Sequence, residues 1–199
     1  MVTGRGGEPV AMPTVQERSL LDHVGPWTVD DLYDYDWDVG HHRVEILDGA
    51  LLMVPQPDVV HDGVCTRLIV ALDRACPSHL VVGSKVGVSY GSSYRVPDVI
   101  AYLRDRRRHG YRLKPADLVL AVEVMSPSSV RTDRHDKPAE YAEVGIANYW
   151  RVEIDPEPIL FAYALRDGVY VEVAKVRGDD VYRAAEPFPV EITPSRLLD

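Results

Sequence analysis

One acidic residue lies inside a segment that is otherwise apolar. Glu123 is the only ionisable side chain in the run LVLAVEVM at 118–125, which is typical of a central strand covered on both faces. Burying a carboxylate is costly unless it is paired, protonated or bound to a metal. Glu123 is therefore a candidate for metal binding or proton transfer, and the alternative is a structural ion pair with a buried Arg or Lys.

A second acid, Asp98, follows Pro97 in the strand-like segment RVPDVIAYL at 95–103. The two-residue period of a strand places Asp98 on the same face as Ile100 and Tyr102. Pro97 has no N–H to donate, so it fits a strand end, an edge or a bulge, and bulges re-aim side chains beside active sites. Taken alone, Pro-Asp is a common turn dipeptide and identifies nothing.

Both acids belong to a longer pattern. In order, it consists of RVEILDG at 43–49, His61, Pro97-Asp98, VEVMSPS at 122–128, Asp133, Lys137, Tyr141, Gly145 and Tyr149-Trp150. This order resembles the Uma-type family of restriction-endonuclease-like proteins in the PD-(D/E)XK nuclease superfamily, from about Trp27 to the C-terminus. The resemblance implies an α/β (α+β) fold with a central mixed sheet flanked by helices. It also implies an endonuclease that hydrolyses DNA with Mg²⁺ or Mn²⁺.

The chemistry of the two acids fits that expectation. Asp98, Glu123 and the backbone carbonyl of Val124 offer hard oxygen ligands, which suit Mg²⁺ or Mn²⁺. One position departs from the superfamily pattern, because the usual lysine stands two residues after the Glu and that position here is Met125. The alternative function is a binding or regulatory module that keeps the nuclease fold without catalysis.

Lys137 is the natural replacement for the missing lysine, since the family resembled carries one on the helix after the Glu strand. Pro138 favours the first turn of a helix, so we expect that helix to begin near Asp136 or Lys137. The alternative is an exposed surface lysine. If Lys137 is the catalytic lysine, we expect its replacement to abolish cleavage and to leave thermal stability nearly unchanged, because a lysine in the first turn of a helix contributes little to packing. Lys85, in the predicted strand 80–90, is the reserve candidate.

Two further residues complete the predicted site. Glu45 alternates onto the face of Leu47, where it is either a third metal ligand, an orienting base, or a partner of Arg43 or Arg67. His61 opens an amphipathic segment that follows a proline-containing loop. It either touches metal or phosphate, or is a capping or solvent-facing histidine.

Composition limits the class of protein. With 199 residues and 46% hydrophobic content, the chain can bury one core, and we expect a single domain at 14–199 after a disordered tail at 1–13. No run approaches the roughly 18 apolar residues of a membrane span, and the N-terminus lacks a signal pattern, so we expect a cytoplasmic protein. The two cysteines, Cys65 and Cys76, read as small core residues.

The charge is unevenly distributed. A net charge of −9 argues against a chain that coats nucleic acid without specificity. Seven basic residues nevertheless crowd the connection between the Asp98 and Glu123 strands, from Arg104 to Lys114. We expect this segment near the metal, where it either contacts phosphates or is solvated or partner-bound.

Local patterns predict the elements around the site. Thr28 is an N-cap for a helix at 29–37, after a first helix at 15–23. Further elements are a hairpin at 43–54 turning at Asp48-Gly49, a helix at 62–75, strands at 80–90, 95–103 and 117–125, a helix at 137–144 and a strand at 148–154. Antiparallel strands at 159–164, 169–176 and 181–192 extend the sheet, and the nuclease core spans about 62–154. A small nuclease domain cuts one strand at a time, so we also expect a homodimer.

Overall fold

The computed structural model describes residues 23–34, 42–55, 57–106, 112–127 and 129–199. The expected tail at 1–13, most of the predicted helix at 15–23, and the end of the predicted helix at 29–37 lie outside these ranges. Thr28 caps the short helix that begins at Asp31, because its hydroxyl accepts from the Asp31 N–H at 3.3 Å and the Asp31 carboxylate accepts from the Thr28 N–H at 2.7 Å.

Within the described ranges, the chain forms three α-helices: α1 (Asp31–Asp34), α2 (Val59–Ala75) and α3 (Lys137–Glu143). The strands in these ranges are β1 (His42–Leu47), β2 (Ala50–Pro55), β3 (Leu80–Gly83), β4 (Gly87–Tyr90), β5 (Ser93–Arg95), β6 (Val99–Leu103), β7 (Arg112–Leu113), β8 (Leu118–Val124), β9 (Asn148–Glu153), β10 (Ile159–Arg166), β11 (Val169–Arg177), β12 (Tyr182–Ala184) and β13 (Val190–Ile192). Short 3₁₀ turns cover Arg104–Arg106, Pro115–Asp117 and Pro194–Leu197, and a π-helical turn at Thr132–Asp136 leads directly into α3.

The strands of the described residues form two main sheets and a ribbon. The large sheet has the order β11-β10-β9-β8-β6-β3, and the small sheet has the order β2-β1-β5-β4-β7. In the large sheet β8 and β9 are parallel and joined by α3, whereas the other neighbours are antiparallel. The predicted core order of helix, three strands, helix and strand is confirmed by α2, β3, β6, β8, α3 and β9.

The central strand β8 of the large sheet is covered on both faces. Alternate residues of β8 point to opposite sides, so that Leu120, Val122 and Val124 pack with Leu68 and Leu72 of α2. Ala121 packs on the other side with Tyr141 of α3. Glu123 follows the alternation of Ala121 and therefore lies on the side of α3.

Two predicted strands are each divided between the two sheets, and the single-strand predictions at 80–90 and 95–103 are wrong. The first breaks at Ser84–Val86, where Lys85 has a positive φ of 57°. The second breaks at Val96–Asp98, because Pro97 cannot donate to a ladder. Between residues 80 and 103 the chain therefore crosses from one sheet to the other twice, and Asp98 lies at the second of these crossings.

The hairpin prediction is confirmed. Asp48 and Gly49 have φ of 48° and 77°, the pair of positive values that a two-residue type I′ turn requires. At the C-terminal end, β10 and β11 extend the large sheet as expected. The segment predicted as a strand at 181–192 instead forms the separate β12–β13 ribbon, whose Tyr182 and Ile192 pack into the α2 core.

Candidate active site

The ends of two neighbouring strands bring Asp98 and Glu123 together. In the antiparallel β6–β8 ladder Val99 is paired with Val122, so Asp98 and Glu123 are the next residues outward on the two strands. The Val124 N–H donates to Asp98 Oδ2 at 2.9 Å and fixes the carboxylate across this end of the ladder. The predicted juxtaposition of these acids across adjacent strands is therefore present.

Asp98 is surrounded by donors. Arg43 Nη1 lies 3.1 Å from Oδ1, and His61 Nε2 lies 3.2 Å from Oδ2. Burial alone raises the pKa of Asp98, but the hydrogen bond from His61 and the charges of Lys137, His61 and Arg43 outweigh it and hold that pKa below its usual range. Asp98 is therefore ionised at neutral pH.

Glu123 is completely buried, with 0% of its surface exposed. Lys137 Nζ lies 2.8 Å from Oε2, and the Tyr141 hydroxyl donates to Oε1 at 2.8 Å. Burial raises the pKa of Glu123, Lys137 opposes this shift, and the like charges of Asp98 and Asp133 add to it. Glu123 therefore forms the ion pair with a buried Arg or Lys that was the alternative to a metal or proton-transfer role. Its partner is Lys137, which is also the residue expected to replace the usual catalytic lysine.

Lys137 reaches the site because of the turn before α3. The Lys137 N–H bonds to the Thr132 carbonyl five residues earlier, and Pro138 brings no N–H of its own. The Asp133 carbonyl accepts instead from the Tyr149 hydroxyl at 2.7 Å, which ties the turn to the large sheet. The helical conformation therefore begins before Lys137, in this π-helical turn, although α3 itself starts at the residue that the sequence predicted.

The alternative of an exposed surface lysine at 137 is wrong, since only 4% of this residue is exposed. Burial lowers the pKa of the Lys137 ammonium, but the charges of Glu123, Glu45, Asp133 and Asp98 outweigh burial and raise it. Lys137 is therefore a charged partner for the acids. Lys85, the reserve candidate, is exposed and lines a neighbouring cavity rather than the one that Glu123 lines.

Glu45 pairs with Arg95, which the sequence did not identify as a partner of this acid. Arg95 Nη1 donates to Glu45 Oε2 at 2.9 Å, and the Val96 N–H donates to Oε1 at 3.2 Å. Arg43 lies 3.7 Å away, and Arg67 is not among its ion-pair partners in the described residues. Arg95 also binds both oxygens of Glu140 on α3, at 2.7 and 2.9 Å.

Arg95 therefore links the small sheet to the helix that carries Lys137. Its signal in the sequence was weaker than that of Glu123, because Arg95 opens its segment and a second charge, Asp98, follows three residues later. Asp133 was also assigned no role, although it stands four residues before Lys137, the spacing that places two side chains on one helical face.

His61 is buried in the first turn of α2. The helix starts three residues earlier than predicted, because the Asp58 carboxylate caps it by accepting from Val60 and His61 N–H groups at 3.0 and 2.9 Å. Burial lowers the pKa of His61, but its hydrogen bond and attraction to Asp98 outweigh burial and raise it. The capping and solvent-facing alternatives for this side chain are wrong.

All five predicted site residues line one cavity of about 280 Å³. Its charged walls carry five carboxylates (Glu45, Asp98, Glu123, Asp133 and Asp136) against three cations (Arg43, Arg95 and Lys137). The carboxylates in these walls outnumber the Lys and Arg side chains by two, and such an excess of acids favours a bound cation.

The donor atoms also fit a hard cation. Lys137 Nζ lies 3.2 Å from Asp133 Oδ1, but not along a hydrogen-bonding direction, and this buried oxygen has no hydrogen-bond partner among the described residues. Each carboxylate oxygen accepts at two lone-pair positions, so Glu123 keeps acceptor capacity beside Lys137 and Tyr141. Because N–H and C=O of one strand residue point the same way, the Val124 carbonyl also points toward the Asp98 side.

The basic segment does not lie at this cavity. Its described members, Arg104, Arg106, Arg112 and Lys114, are not among the cavity walls. The segment connects the opposite ends of β6 and β8, and five residues of strand span roughly 16 Å. The expectation that it lies near the metal is wrong for these residues, and Arg107, Arg108 and His109 lie outside the described ranges.

The fold and the site together define a protein of the restriction-endonuclease-like class. A family model described as "Uma2: Putative restriction endonuclease" matches residues 29–197, and the chain belongs to this family. No curated protein matches the sequence.

A solved structure supports the fold. It is described as a putative nuclease belonging to DUF820 from Anabaena variabilis, and it matches with a TM-score of 0.64 at 15% identity. The match covers 87% of this chain and 98% of that chain. Separately, none of the described helices is long and apolar enough to span a membrane.

Proposed function

We propose that this protein is a metal-dependent endonuclease that hydrolyses phosphodiester bonds in DNA. The observation that carries the proposal is the contact between Lys137 and Glu123, at 2.8 Å, in the cavity that also holds Asp98. The position of the usual lysine is Met125, and a buried ammonium supplied from α3 restores a cation beside the acids. Membership in a nuclease-like family supports the substrate class.

Asp98, Glu123 and the Val124 carbonyl are the proposed ligands of Mg²⁺ or Mn²⁺, with Asp133 close by. When bound, the ion would supply positive charge to the phosphoryl oxygens and make the attacking water more acidic. Lys137 orients that water and stabilises negative charge as it develops, since its ammonium is charged and held between Glu123 and Asp133. His61 and Arg43 fix Asp98, and Glu45 positions Lys137 indirectly through Arg95 and Glu140.

Arg43 has a second role in the proposal. Its side chain is 23% exposed while that of Asp98 is 6% exposed, so Arg43 is the more accessible member of this ion pair. A cation in that position can meet a phosphate as it approaches the carboxylates, which by themselves repel it. The net charge of −9 makes such local positive groups necessary for binding DNA.

Cleavage of supercoiled plasmid with Mg²⁺ or Mn²⁺ tests the proposal. We expect nicking by the wild type, none by Asp98→Asn or Glu123→Gln, and none by Lys137→Met. Lys85→Met is the matched control and should cleave like the wild type. Cleavage by Lys137→Met together with its loss in Lys85→Met would overturn the assignment of the lysine.

One observation favours a binding module without catalysis. Each oxygen of Glu123 already accepts a hydrogen bond, one from Lys137 and the other from Tyr141. Calorimetric titration with Mn²⁺ separates the two functions, because the endonuclease should bind the ion through Asp98 and lose it in Asp98→Ala. Absence of binding by the wild type would favour the module.

We also propose that the protein acts as a homodimer, since a duplex has two strands to cut and two sites related by a two-fold axis can address both. Light scattering at micromolar concentration measures this directly. A monomeric mass would contradict the dimer and leave the assignment of the site unaffected.

A further inference from the structure

A second cavity, of about 470 Å³, shares His61 and Asp98 with the first. Its walls include His61, Cys65, Asp62 and Asp98. One ligand atom from each of His61, Cys65 and Asp98 lies within 4.8 Å of the others, and all three residues are buried. We propose that these three side chains form a second cation site, distinct from the oxygen site of Asp98 and Glu123, which takes a thiophilic divalent ion such as Zn²⁺.

The local fold accounts for the grouping. His61 and Cys65 are four residues apart on α2, so the helix stacks them on one face, with His61 Nδ1 3.5 Å from Cys65 Sγ. Asp98 joins them across the helix–sheet boundary, with Oδ2 3.2 Å from His61 Nε2. Only one ring nitrogen of His61 can bind a given ion, and the ligand atoms around a tetrahedral zinc are roughly 3.3–3.7 Å apart. The imidazole must therefore turn away from at least one of these two contacts, and the three ligand atoms, now within 4.8 Å of one another, must move closer together when the ion binds.

The donor chemistry distinguishes this site from the first. A sulfur, an imidazole nitrogen and one carboxylate oxygen are ligands that Zn²⁺ and Co²⁺ prefer, whereas Mg²⁺ requires oxygen. Three protein ligands leave a fourth position, which faces the cavity and can be filled by water. Asp62 also lines this cavity, and its negative charge offsets the Arg43 guanidinium that lies against Asp98.

A consequence follows if the proposed endonuclease function is correct. Both sites use Asp98, whose Oδ1 already accepts from Arg43 and whose Oδ2 already accepts from the Val124 N–H. The carboxylate cannot keep these contacts and also bridge two cations. Zinc bound to His61 and Cys65 would therefore withdraw a ligand from the magnesium site. We infer that micromolar zinc inhibits Mg²⁺-dependent cleavage through Cys65.

Cobalt spectroscopy tests the site without any reference to activity. The sequence contains two cysteines, Cys65 and Cys76, so a thiolate-to-cobalt charge-transfer band must come from one of them. We expect the wild type to show this near-ultraviolet band on addition of Co²⁺, and Zn²⁺ in equimolar amount to abolish it. Cys65→Ser should lose the band and bind zinc at least about 100-fold more weakly, because a direct ligand is removed.

Cys76→Ser is the matched control, since Cys76 ends the same helix and its thiol contacts the Pro77 carbonyl at 3.6 Å instead of a histidine. This variant should keep the band. Absence of the band in folded wild-type protein, or its loss in Cys76→Ser with retention in Cys65→Ser, would overturn the site. Circular dichroism establishes that each variant is folded.

The inhibition is measured separately, as the ratio of cleavage rates with and without zinc for each variant. We expect zinc to lower the rate of the wild type and of Cys76→Ser at least tenfold, and to have little effect on Cys65→Ser. Equal inhibition of all three proteins would overturn the competition for Asp98. A cobalt band without any cleavage in Mg²⁺ would instead refute the endonuclease and leave the zinc site intact.

Discussion

Replacement of Lys137 by Met gives the sharpest test of the energetics of the site, because Lys137 is the cation closest to Glu123. Burial and the charges of Asp98 and Asp133 raise the pKa of Glu123, and the Lys137 charge is the largest effect that opposes them. Without Lys137 the folded protein can keep Glu123 only in its protonated form. The free energy needed to protonate Glu123 therefore sets the upper limit to the loss in free energy of unfolding.

The magnitude depends on pH. An unfolded glutamate has a pKa of about 4.3, so protonating it costs about 4 kcal/mol at pH 7 and about 1 kcal/mol at pH 5. These energies are upper limits to the loss in the variant, because the pKa of Glu123 is raised in the wild type as well, and the loss of Lys137 raises it further. Since the folded-state pKa lies above the unfolded value, the folded variant binds more protons and loses stability as the pH rises above about 4.3. For a chain of this size, the upper limits correspond to a drop in Tm of roughly 8–16 °C at pH 7 and roughly 2–4 °C at pH 5.

Thermal unfolding of wild type, Lys137→Met and the double variant Lys137→Met/Glu123→Gln measures the effect at both pH values. We expect the double variant to recover most of the stability at pH 7, because the glutamine carries no charge to be buried. Lys85→Met is the control, since Lys85 is exposed and its replacement should change Tm by less than about 2 °C. An equal drop at pH 5 and pH 7, or no recovery in the double variant, would refute the reasoning. The sequence-based expectation that a lysine at this helix start contributes little to stability is incompatible with its burial.

Two further predictions concern the framework around the site. Gly49→Ala should destabilise the protein by roughly 1–2 kcal/mol more than Gly168→Ala, as measured by urea unfolding. Both glycines have positive φ, but a Cβ at position 49 would lie 2.7 Å from the Pro26 Cβ, whereas a Cβ at position 168 would meet nothing within 4 Å. Equal losses of stability would contradict the contact with Pro26. Arg95→Met should lower the free energy of unfolding by roughly 3–5 kcal/mol, since it leaves Glu45 and Glu140 without the guanidinium that pairs with them. Arg183→Met is the control, because it breaks an exposed ion pair with Glu191 and should lower the same quantity by less than about 1 kcal/mol. Comparable losses in these two arginine variants would show that the Arg95 network contributes no more than a surface pair.

Sequence alone identified the features that depend on near neighbours in the chain. Asp48-Gly49 specified its hairpin because a type I′ turn needs positive φ at both positions, whatever the rest of the fold does. Glu123 stood out because a lone charge in an apolar strand must have a partner, and the partner is Lys137. The pattern around both acids was sufficient to indicate the restriction-endonuclease-like fold.

Tertiary structure decided which distant groups meet. The segments 80–90 and 95–103 each resemble one continuous strand, because both halves of each segment contain strand-forming residues. The two halves of each segment nevertheless belong to different sheets, since pairing with strands distant in the sequence determines which sheet each half joins. Glu45 could pair with any nearby arginine by its sequence, and Arg95 is its closest partner because β5 lies beside β1 in the small sheet.

The same reason explains the errors about charge. The basic segment follows the Asp98 strand in sequence, but an antiparallel hairpin carries its loop to the end of the strands that is away from Asp98 and Glu123. The nearness of Cys65 to Asp98 likewise required α2 to be docked against the end of β6. Strand and helix periods determine which side chains share a face, whereas packing of the elements determines which faces meet, and the candidate site is formed where those faces meet.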